Sequence, residues 1–306
     1  MNCLVTGGAG FIGSTLVDKL IEDNHNVVIF DDLSTGNEDN INSSAEFYSV
    51  DISNVALLDT GWFEKIMKEH EIDVIFHTAA LARVQPSISN PSKYNTVNVT
   101  GTLNMLKSAV DAGVKRFVYS ASSSAYGNQN HMPLVETMET NPLSPYGLQK
   151  LIGEQYCKLF SEVYDLETVS LRYFNVYGDR QNLSGAYCLV IGKFIQQKMN
   201  KEDMTIFGDG KQKRDFTYVG DVVNANILAS TSDKVGSGEV INIGNGDNRS
   251  VNQIADMVGG HSVHLEAVKE PRVTLADNSK AKELLGWKPT MDLEIWMSSY
   301  KEKLGI

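Results

Sequence analysis

Cysteine is scarce in this 306-residue chain: Cys3, Cys157 and Cys188 are scattered and odd in number. That excludes a disulfide framework and suggests reduced thiols in a cytoplasmic compartment. No Cys-x-x-Cys or His-x-x-x-His pattern occurs, so a metal site has no support. Positive charge is also in deficit: 27 Lys and Arg stand against 38 Asp and Glu, a net −11. This balance argues against a nucleic-acid or anionic-membrane surface as partner. An anionic ligand would have to be held by a few local cations and backbone amides. There is no run of 18 apolar residues, and the start "MNCLVTGG" has no basic segment followed by a long apolar one. Neither a signal peptide nor a membrane span is expected.

What is present is ordinary for a soluble globular protein, 42% hydrophobic and 21% charged residues. The length suggests two domains, or one α/β domain with an appendage. Strand candidates are "NCLVT" (2–6), "NVVIFD" (26–31), "AEFYSVDI" (45–52), "DVIFHTA" (73–79), "RFVYSAS" (116–122) and "ETVSLRYF" (167–174). Helical patterns lie at 11–24 and near 55–70, 92–112 and 144–165. Apolar strands alternating with helices predict an α/β fold, a doubly wound Rossmann-type parallel sheet covered on both faces. After about residue 175 the rhythm weakens and Gly, Asn and Asp increase; a strand at 238–246 and helices around 250–259 and 278–286 follow. The expected division is a nucleotide-binding domain of 1–175 plus 217–248, and a smaller, discontinuous substrate lobe of 176–216 plus 249–306.

"TGGAGFIG" (6–13) follows the first strand and opens the first helix, with Gly7, Gly10 and Gly13 at intervals of three. Such a series allows a tight turn, close approach of backbone to a pyrophosphate, and helix-on-strand packing, with free N–H groups facing the anion. The second strand ends in Asp31, 18 residues past Gly13. A carboxylate there accepts the adenosine ribose hydroxyls and repels a 2′-phosphate, which favours NAD over NADP. Asp32 reads as a solvated turn residue. Asp51 and Ile52, ending the third strand, would flank the adenine.

"YSASSSAYG" (119–127) leaves a strand at its carboxyl end, where α/β sheets place their ligands. In "SPYGLQK" (144–150), Ser144-Pro145 reads as a helix start, which puts Tyr146 and Lys150 one turn apart on one face. A phenol of pKa about 10 is a poor base at neutral pH. A fall of about 3 units would need roughly 4 kcal/mol, which two cationic neighbours in a closed site could supply.

Five patterns in order, "TGGAGFIG", "HTAA", "SSSAYG", "SPYGLQK" and "LRYFNVYG", resemble the extended short-chain dehydrogenase/reductase family and, within it, the UDP-hexose 4-epimerases. The similarity runs through "RDFTYVGDV" to "TLADNSKA". The resemblance implies NAD as cofactor, a UDP-sugar substrate and a homodimer. It makes Tyr146 the general base, tuned by Lys150, with Ser122 holding and relaying the proton of the sugar hydroxyl. Cofactor contacts carry over to Phe11, Ile12, Ala79, Ala80, Asn98, Ser120 and Tyr173 beside the residues already named, Tyr146 and Lys150 included. Substrate contacts carry over to Ser123, Ser124, Asn175, Ala186, Tyr187, Phe207, Arg214, Glu270, Arg272 and Thr274. His77 reads as structural. The stripe Leu148, Ile152, Gln155, Leu159 lies opposite Tyr146; it would be core, or pair with its mate across a dimer.

In the related dehydratases and decarboxylases a carboxylate follows the hydroxyl residue; here Ser123 and Ser124 stand at those positions. The resemblance therefore implies C4 epimerisation through a 4-keto intermediate. Other readings are a different NAD-dependent UDP-sugar modifier and a non-catalytic NAD-sensing scaffold. A small Thr274, where a bulky tyrosine goes with restriction to UDP-glucose and UDP-galactose, implies that UDP-GlcNAc and UDP-GalNAc are also accepted. One departure is "AVKE" (267–270), where the family often has Arg-Pro-Gly-Asp; Lys269 could replace the missing arginine only as a point charge.

Overall fold

The computed structural model describes residues 1–183, 188–268 and 271–306. Its first half runs β1 (Asn2–Thr6), α1 (Phe11–Glu22), β2 (Asn26–Asp31), β3 (Glu46–Ser49), α2 (Val55–Asp59), α3 (Trp62–Glu69), β4 (Val74–His77), α4 (Val84–Ser89), α5 (Pro91–Asn95), α6 (Thr102–Ala112), β5 (Arg116–Ser122), α7 (Pro145–Tyr164) and β6 (Glu167–Tyr173). The second half continues with β7 (Val176–Tyr177), α8 (Val190–Met199), β8 (Met204–Phe207), β9 (Lys213–Asp215), β10 (Thr217–Tyr218), α9 (Val219–Thr231), β11 (Ser237–Ile243), β12 (Asn248–Ser250), α10 (Val251–Val258), β13 (Ser262–Leu265), α11 (Ser279–Leu285) and α12 (Leu293–Leu304).

Seven strands form one parallel sheet in the order β3-β2-β1-β4-β5-β6-β11. The order reverses between β1 and β4, which opens a crevice at the strand carboxyl ends. Register decides what reaches that crevice. Thr6 pairs with both Phe30 and His77, and His77 pairs with Tyr119, so these strands end nearly level. β5 alone runs on through Ser120 and Ala121 to Ser122, beside Tyr173 of β6. The extension lifts Ser122 to the ligand edge.

Both sheet faces are covered, which is why the central strands read as unbroken apolar runs. One face buries Leu16, Val17 and Leu20 of α1 with Val222 and Val223 of α9 and Trp287. The other buries Phe63 of α3, Met105 and Leu106 of α6, and Cys157 and Phe160 of α7. A separate, smaller core joins Phe194 and Ile195 of α8, Met204 and Ile206 of β8, Ile254 and Val258 of α10, and Trp296 and Tyr300 of α12. No helix among the described residues is long and apolar enough to cross a membrane.

The expected helices differ in detail. The 55–70 pattern breaks at Gly61, whose φ of +68 ends one helix and starts another. The 92–112 pattern contains a π-turn at Thr96–Gly101. The third strand stops at Ser49, short of Ile52. The helices α4, α8, α9 and α12 were not among the patterns read from sequence.

α7 starts as its sequence predicts: Ser144 Oγ accepts the Gly147 N–H at 3.1 Å and Pro145 occupies the first turn. Its middle is tied to β6 by a buried ion pair, with the Arg172 Nε and Nη2 donating to Glu154 at 2.8 and 2.7 Å. The Arg172 guanidinium lies 4.5 Å over the Tyr126 ring. Removing one partner of a buried pair leaves the other charge uncompensated. Arg172→Met should therefore cost about 3–5 kcal/mol in urea denaturation, and adding Glu154→Leu should restore most of it. Wild-type stability of the single variant would show that this pair does not hold α7 to the sheet.

Candidate active site

A cavity of about 610 Å³ opens at the carboxyl ends of β1, β2, β4, β5 and β6. Its floor is the glycine loop. Gly7 has φ +73, and a Cβ on it would lie 2.7 Å from the Ala79 nitrogen. A Cβ on Gly13 would lie 2.1 Å from the Gly7 carbonyl oxygen, and one on Gly10 at 3.2 Å from the same atom. No side chain is tolerated where the loop, the first turn of α1 and the segment after β4 meet. Gly10 caps α1 without a side-chain bond, and Phe11, Ile12 and Gly13 line the cavity. This is the cradle a dinucleotide pyrophosphate requires: bare backbone at a helix N-terminus.

Asp31 is buried at the end of β2 and lines the same cavity. Its carboxylate accepts the Ala9 N–H at 2.9 Å and the Leu33 N–H at 2.8 Å, so it also holds the glycine loop in place. Burial pushes its pKa up, and the two N–H bonds counter that. Asp32 is exposed and takes the Ser34 N–H, as a turn residue would. Asp51, Ile52, Ala79 and Ala80 line the cavity. Asn98 is placed differently. It is buried behind the segment after β4, accepting the Leu81 N–H at 2.8 Å and donating to the Leu81 carbonyl at 2.9 Å. It braces the wall rather than lining it. Ser120 is likewise beneath the surface, 3.0 Å from the Tyr173 hydroxyl, while Tyr173 itself lines the cavity and bonds Asn226.

Ser122, Ser123, Ser124 and Tyr146 share the cavity wall beyond the glycine loop. Ser122 caps a short turn, its Oγ accepting the Ser124 N–H at 3.2 Å. The Tyr146 phenol is raised above its ordinary pKa by burial. A hydrogen bond with Ser122 and the nearby Arg83 cation oppose that rise. Lys150 is buried, its Nζ donating to the Ser120 carbonyl at 2.7 Å and lying 4.9 Å over the Tyr119 ring. Burial lowers its pKa to about 8, with Cys157 and Glu154 acting in the opposite direction. Lys150 therefore sits below the cavity wall, and Arg83, which sequence reasoning missed, lines the cavity with Tyr146. Its one signal was a basic residue just past the β4 end in "HTAALAR". His77 is fully buried between Thr6 Oγ1 at 2.9 Å and Thr102 Oγ1 at 3.0 Å. Burial and Lys150 lower its pKa to about 3, so it is neutral.

Asn175 lines the far wall and donates to the Asp215 carbonyl at 3.0 Å. The other expected substrate residues gather around β8, β9 and the strand-like segment at 272–274, outside the described cavity lining. Phe207 is exposed with Lys193 Nζ 5.2 Å over its ring. Arg272 forms a bidentate exposed pair with Asp209 at 2.8 and 2.7 Å. Arg214 donates to the Lys213 carbonyl. The Thr274 Oγ1 accepts the Asp215 N–H at 3.3 Å. Ala186, Tyr187, Lys269 and Glu270 lie outside the described residues. Among the described residues no His, Cys, Asp and Glu cluster could hold a metal.

Residues 3–244 match the NAD dependent epimerase/dehydratase family. The chain belongs to that family. It is an enzyme of the family, and its cofactor is NAD. It is 37% identical over 306 residues to a UDP-glucose 4-epimerase of Mycolicibacterium smegmatis, covering 96% of this chain and 95% of that one. Among solved structures it is similar to a UDP-glucose 4-epimerase of Thermotoga maritima with UDP-glucose, with TM-score 0.93, 39% identity and 100% of both chains covered. It is also similar to a UDP-N-acetylglucosamine 4-epimerase of Methanobrevibacter ruminantium in complex with UDP-N-acetylmuramic acid, with TM-score 0.90, 36% identity, and 99% and 98% covered.

The glycine cradle leads to a direct test. Gly13→Ala should weaken NAD binding by about one to two decades in titration calorimetry, since the overpacked methyl must displace backbone. Unchanged affinity would show that the pyrophosphate lies elsewhere.

Proposed function

We propose that this chain inverts C4 of UDP-hexoses through a 4-keto sugar, taking the N-acetylated pair as well as UDP-glucose and UDP-galactose. The observation that carries the reading is where the acids lie. Among the described residues the carboxylates lining the cavity are Asp31, Asp32 and Asp51, all at the β2–β3 end. The described lining around Ser122 includes the hydroxyls of Ser123, Ser124 and Tyr146 and no carboxylate. Elimination or decarboxylation needs an acid or base next to C5 and C6, and the cavity offers none there. Epimerisation needs one proton acceptor at C4 and room for the ketone to turn.

Tyr146 takes the C4 hydroxyl proton and returns it to the inverted alcohol. Ser122 holds that hydroxyl and relays its proton to the phenol. NAD, when bound, supplies a positively charged ring that accepts and returns the C4 hydrogen with its electron pair. Lys150 serves the nicotinamide ribose and keeps the end of β5 in place through the Ser120 carbonyl. Asp31 selects NAD by repelling a 2′-phosphate. Asn175, Phe207, Arg214 and Arg272 take the uridine diphosphate, Arg272 exchanging Asp209 for phosphate oxygen. The domain division expected from sequence stands as part of the proposal, supported by the separate small core around α8, α10 and α12.

Tyr146→Phe should abolish C4 inversion, followed by NMR with UDP-glucose and UDP-N-acetylglucosamine in turn, while NAD stays bound. Near-normal turnover would refute the base. Thr274 is small, which supports room for an acetamido group. Thr274→Tyr should cut activity on the N-acetylated pair by about one to two decades and spare UDP-glucose, as overpacking typically does. Equal handling of both pairs by the variant would show that another wall sets that volume.

The proposed assembly is a homodimer through α6 and α7. Of the stripe read from sequence, Leu148 and Leu159 are 48% and 45% exposed, Gln155 is exposed and Ile152 is half-buried, so most of it is surface in the single chain. Light scattering should give twice the 33.7 kDa chain mass. Leu159→Glu should shift that to the monomer; a monomeric wild type would end the proposal.

A further inference from the structure

Asp215 closes β9 and is fully buried. A buried carboxylate is costly unless hydrogen bonds satisfy its charge. Here the backbone of two distant segments does so. One oxygen accepts the Asn245 N–H at 2.8 Å, and the other accepts the Gly246 and Ala276 N–H groups, each at 3.0 Å. Burial pushes its pKa up to about 6 and the three N–H bonds counter that, so it is ionised at neutral pH.

The donors come from both sides of a junction. Asn245 and Gly246 lie just past β11, the edge strand of the seven-stranded sheet, in the link to β12. Ala276 follows the segment that runs beside β9, where the Lys213 N–H donates to the Arg272 carbonyl and the Thr274 N–H to the Lys213 carbonyl. The two segments meet so closely that a Cβ on Gly244 would lie 2.3 Å from the Ala276 Cβ.

The main chain of Asp215 faces the other way. Its N–H donates to Thr274 Oγ1 at 3.3 Å, and its carbonyl accepts the Asn175 Nδ2 at 3.0 Å. Asn175 lines the cavity. The side chain is thus tied to the exit of the main sheet, and the main chain to two residues assigned to the substrate. The glycine cradle is built from other elements: β1, α1 and the segment after β4.

We propose that Asp215 is a positioning residue for the nucleotide sugar: its carboxylate locks β9 and the 272–276 segment to the exit of β11, and so sets where Asn175, Arg272 and Thr274 meet the UDP-sugar. Asp215 itself lies behind the wall and acts through the backbone it gathers. The inference rests on the reading that this wall takes the uridine diphosphate.

Three N–H groups converge on atoms that only accept. An asparagine keeps the shape, but its NH2 must face at least one of those donors and leave it without an acceptor. The test uses full-length, NAD-bound enzyme, UDP-glucose as substrate, UDP as binding probe, and Asp215→Asn and Asp215→Ser variants. Both variants should melt cooperatively and keep bound NAD, read from cofactor absorbance. KM for UDP-glucose should rise about tenfold, with kcat within about threefold of wild type, the pattern of binding lost equally from ground and transition states. UDP affinity in calorimetry should fall by a similar factor. Wild-type KM and UDP affinity, or a fall in kcat alone, overturns the role of Asp215. Two variants that both unfold or lose NAD also overturn it, because the side chain then supports the whole chain and not this wall. Asn175→Ala and Arg272→Ala separate the two readings. If they weaken UDP binding while Asp215→Asn does not, only Asp215 is misassigned. If neither weakens it, the substrate wall is misplaced and the proposal falls with it.

Discussion

The site depends on a contact that admits no side chain. The Gly7 carbonyl, the first turn of α1 at Gly13 and the backbone at Ala79 approach so closely that a single methyl on Gly7 or Gly13 would overlap backbone atoms. That approach brings β1, α1 and the segment after β4 together at the point where the sheet order reverses. Asp31 reinforces it from the neighbouring strand by accepting the Ala9 N–H. The same carboxylate supports the loop and, in the proposed mechanism, selects the cofactor. From the second side, Asn98 clamps Leu81 with two hydrogen bonds and fixes the wall that leads to Arg83.

On this frame the phenol is held in an environment that disfavours its charged form. Burial raises Tyr146, and a hydrogen bond with Ser122 and the Arg83 cation oppose the rise. Lys150, one turn along the helix, is itself depressed by burial and engaged with Ser120. Its partial offset comes from Glu154, one further turn on, which in turn is paired with Arg172. Tyr146, Lys150 and Glu154 thus form one line along α7 whose charges reach from the cavity into the core. Because Arg172 belongs to β6, that line is anchored to the sheet.

Much of this was legible in the sequence, for physical reasons that differ by residue. The doubly wound sheet was readable because parallel strands buried on two faces must be apolar throughout. The start of α7 was readable because Ser-Pro caps a helix by local chemistry. Gly7, Gly10 and Gly13 were readable because their roles depend on neighbours in sequence. Asn98, Ser120 and Lys150 were named, yet their places behind the wall depend on contacts with Leu81, Tyr173 and the Ser120 carbonyl that no local pattern encodes. Arg83 was invisible for a similar reason: its positive φ and its place in the cavity wall are set by the fold and not by a local pattern. α8 and α12 were unreadable because their buried faces both pack on α10, in a small core assembled from distant segments.

The distribution of acids then limits what the chemistry can be. Among the described residues the carboxylates line the cavity at the β2–β3 end, and serines line it beside Tyr146. A ketone formed at C4 makes the hydrogen at C5 acidic, so any nearby base would drain the intermediate into elimination. Ser123 and Ser124 are too weak as bases for that and too small to stop the sugar turning. In the proposed mechanism Tyr146 is the group that must be both acceptor and donor, which requires a phenol that ionises near the working pH. In the proposed mechanism the hydroxyl of Ser122, bonded to the phenol, favours that ionisation from the protein side. Among the described residues no acid lines the cavity beside them, which keeps the proposed intermediate on the path that returns it to an alcohol.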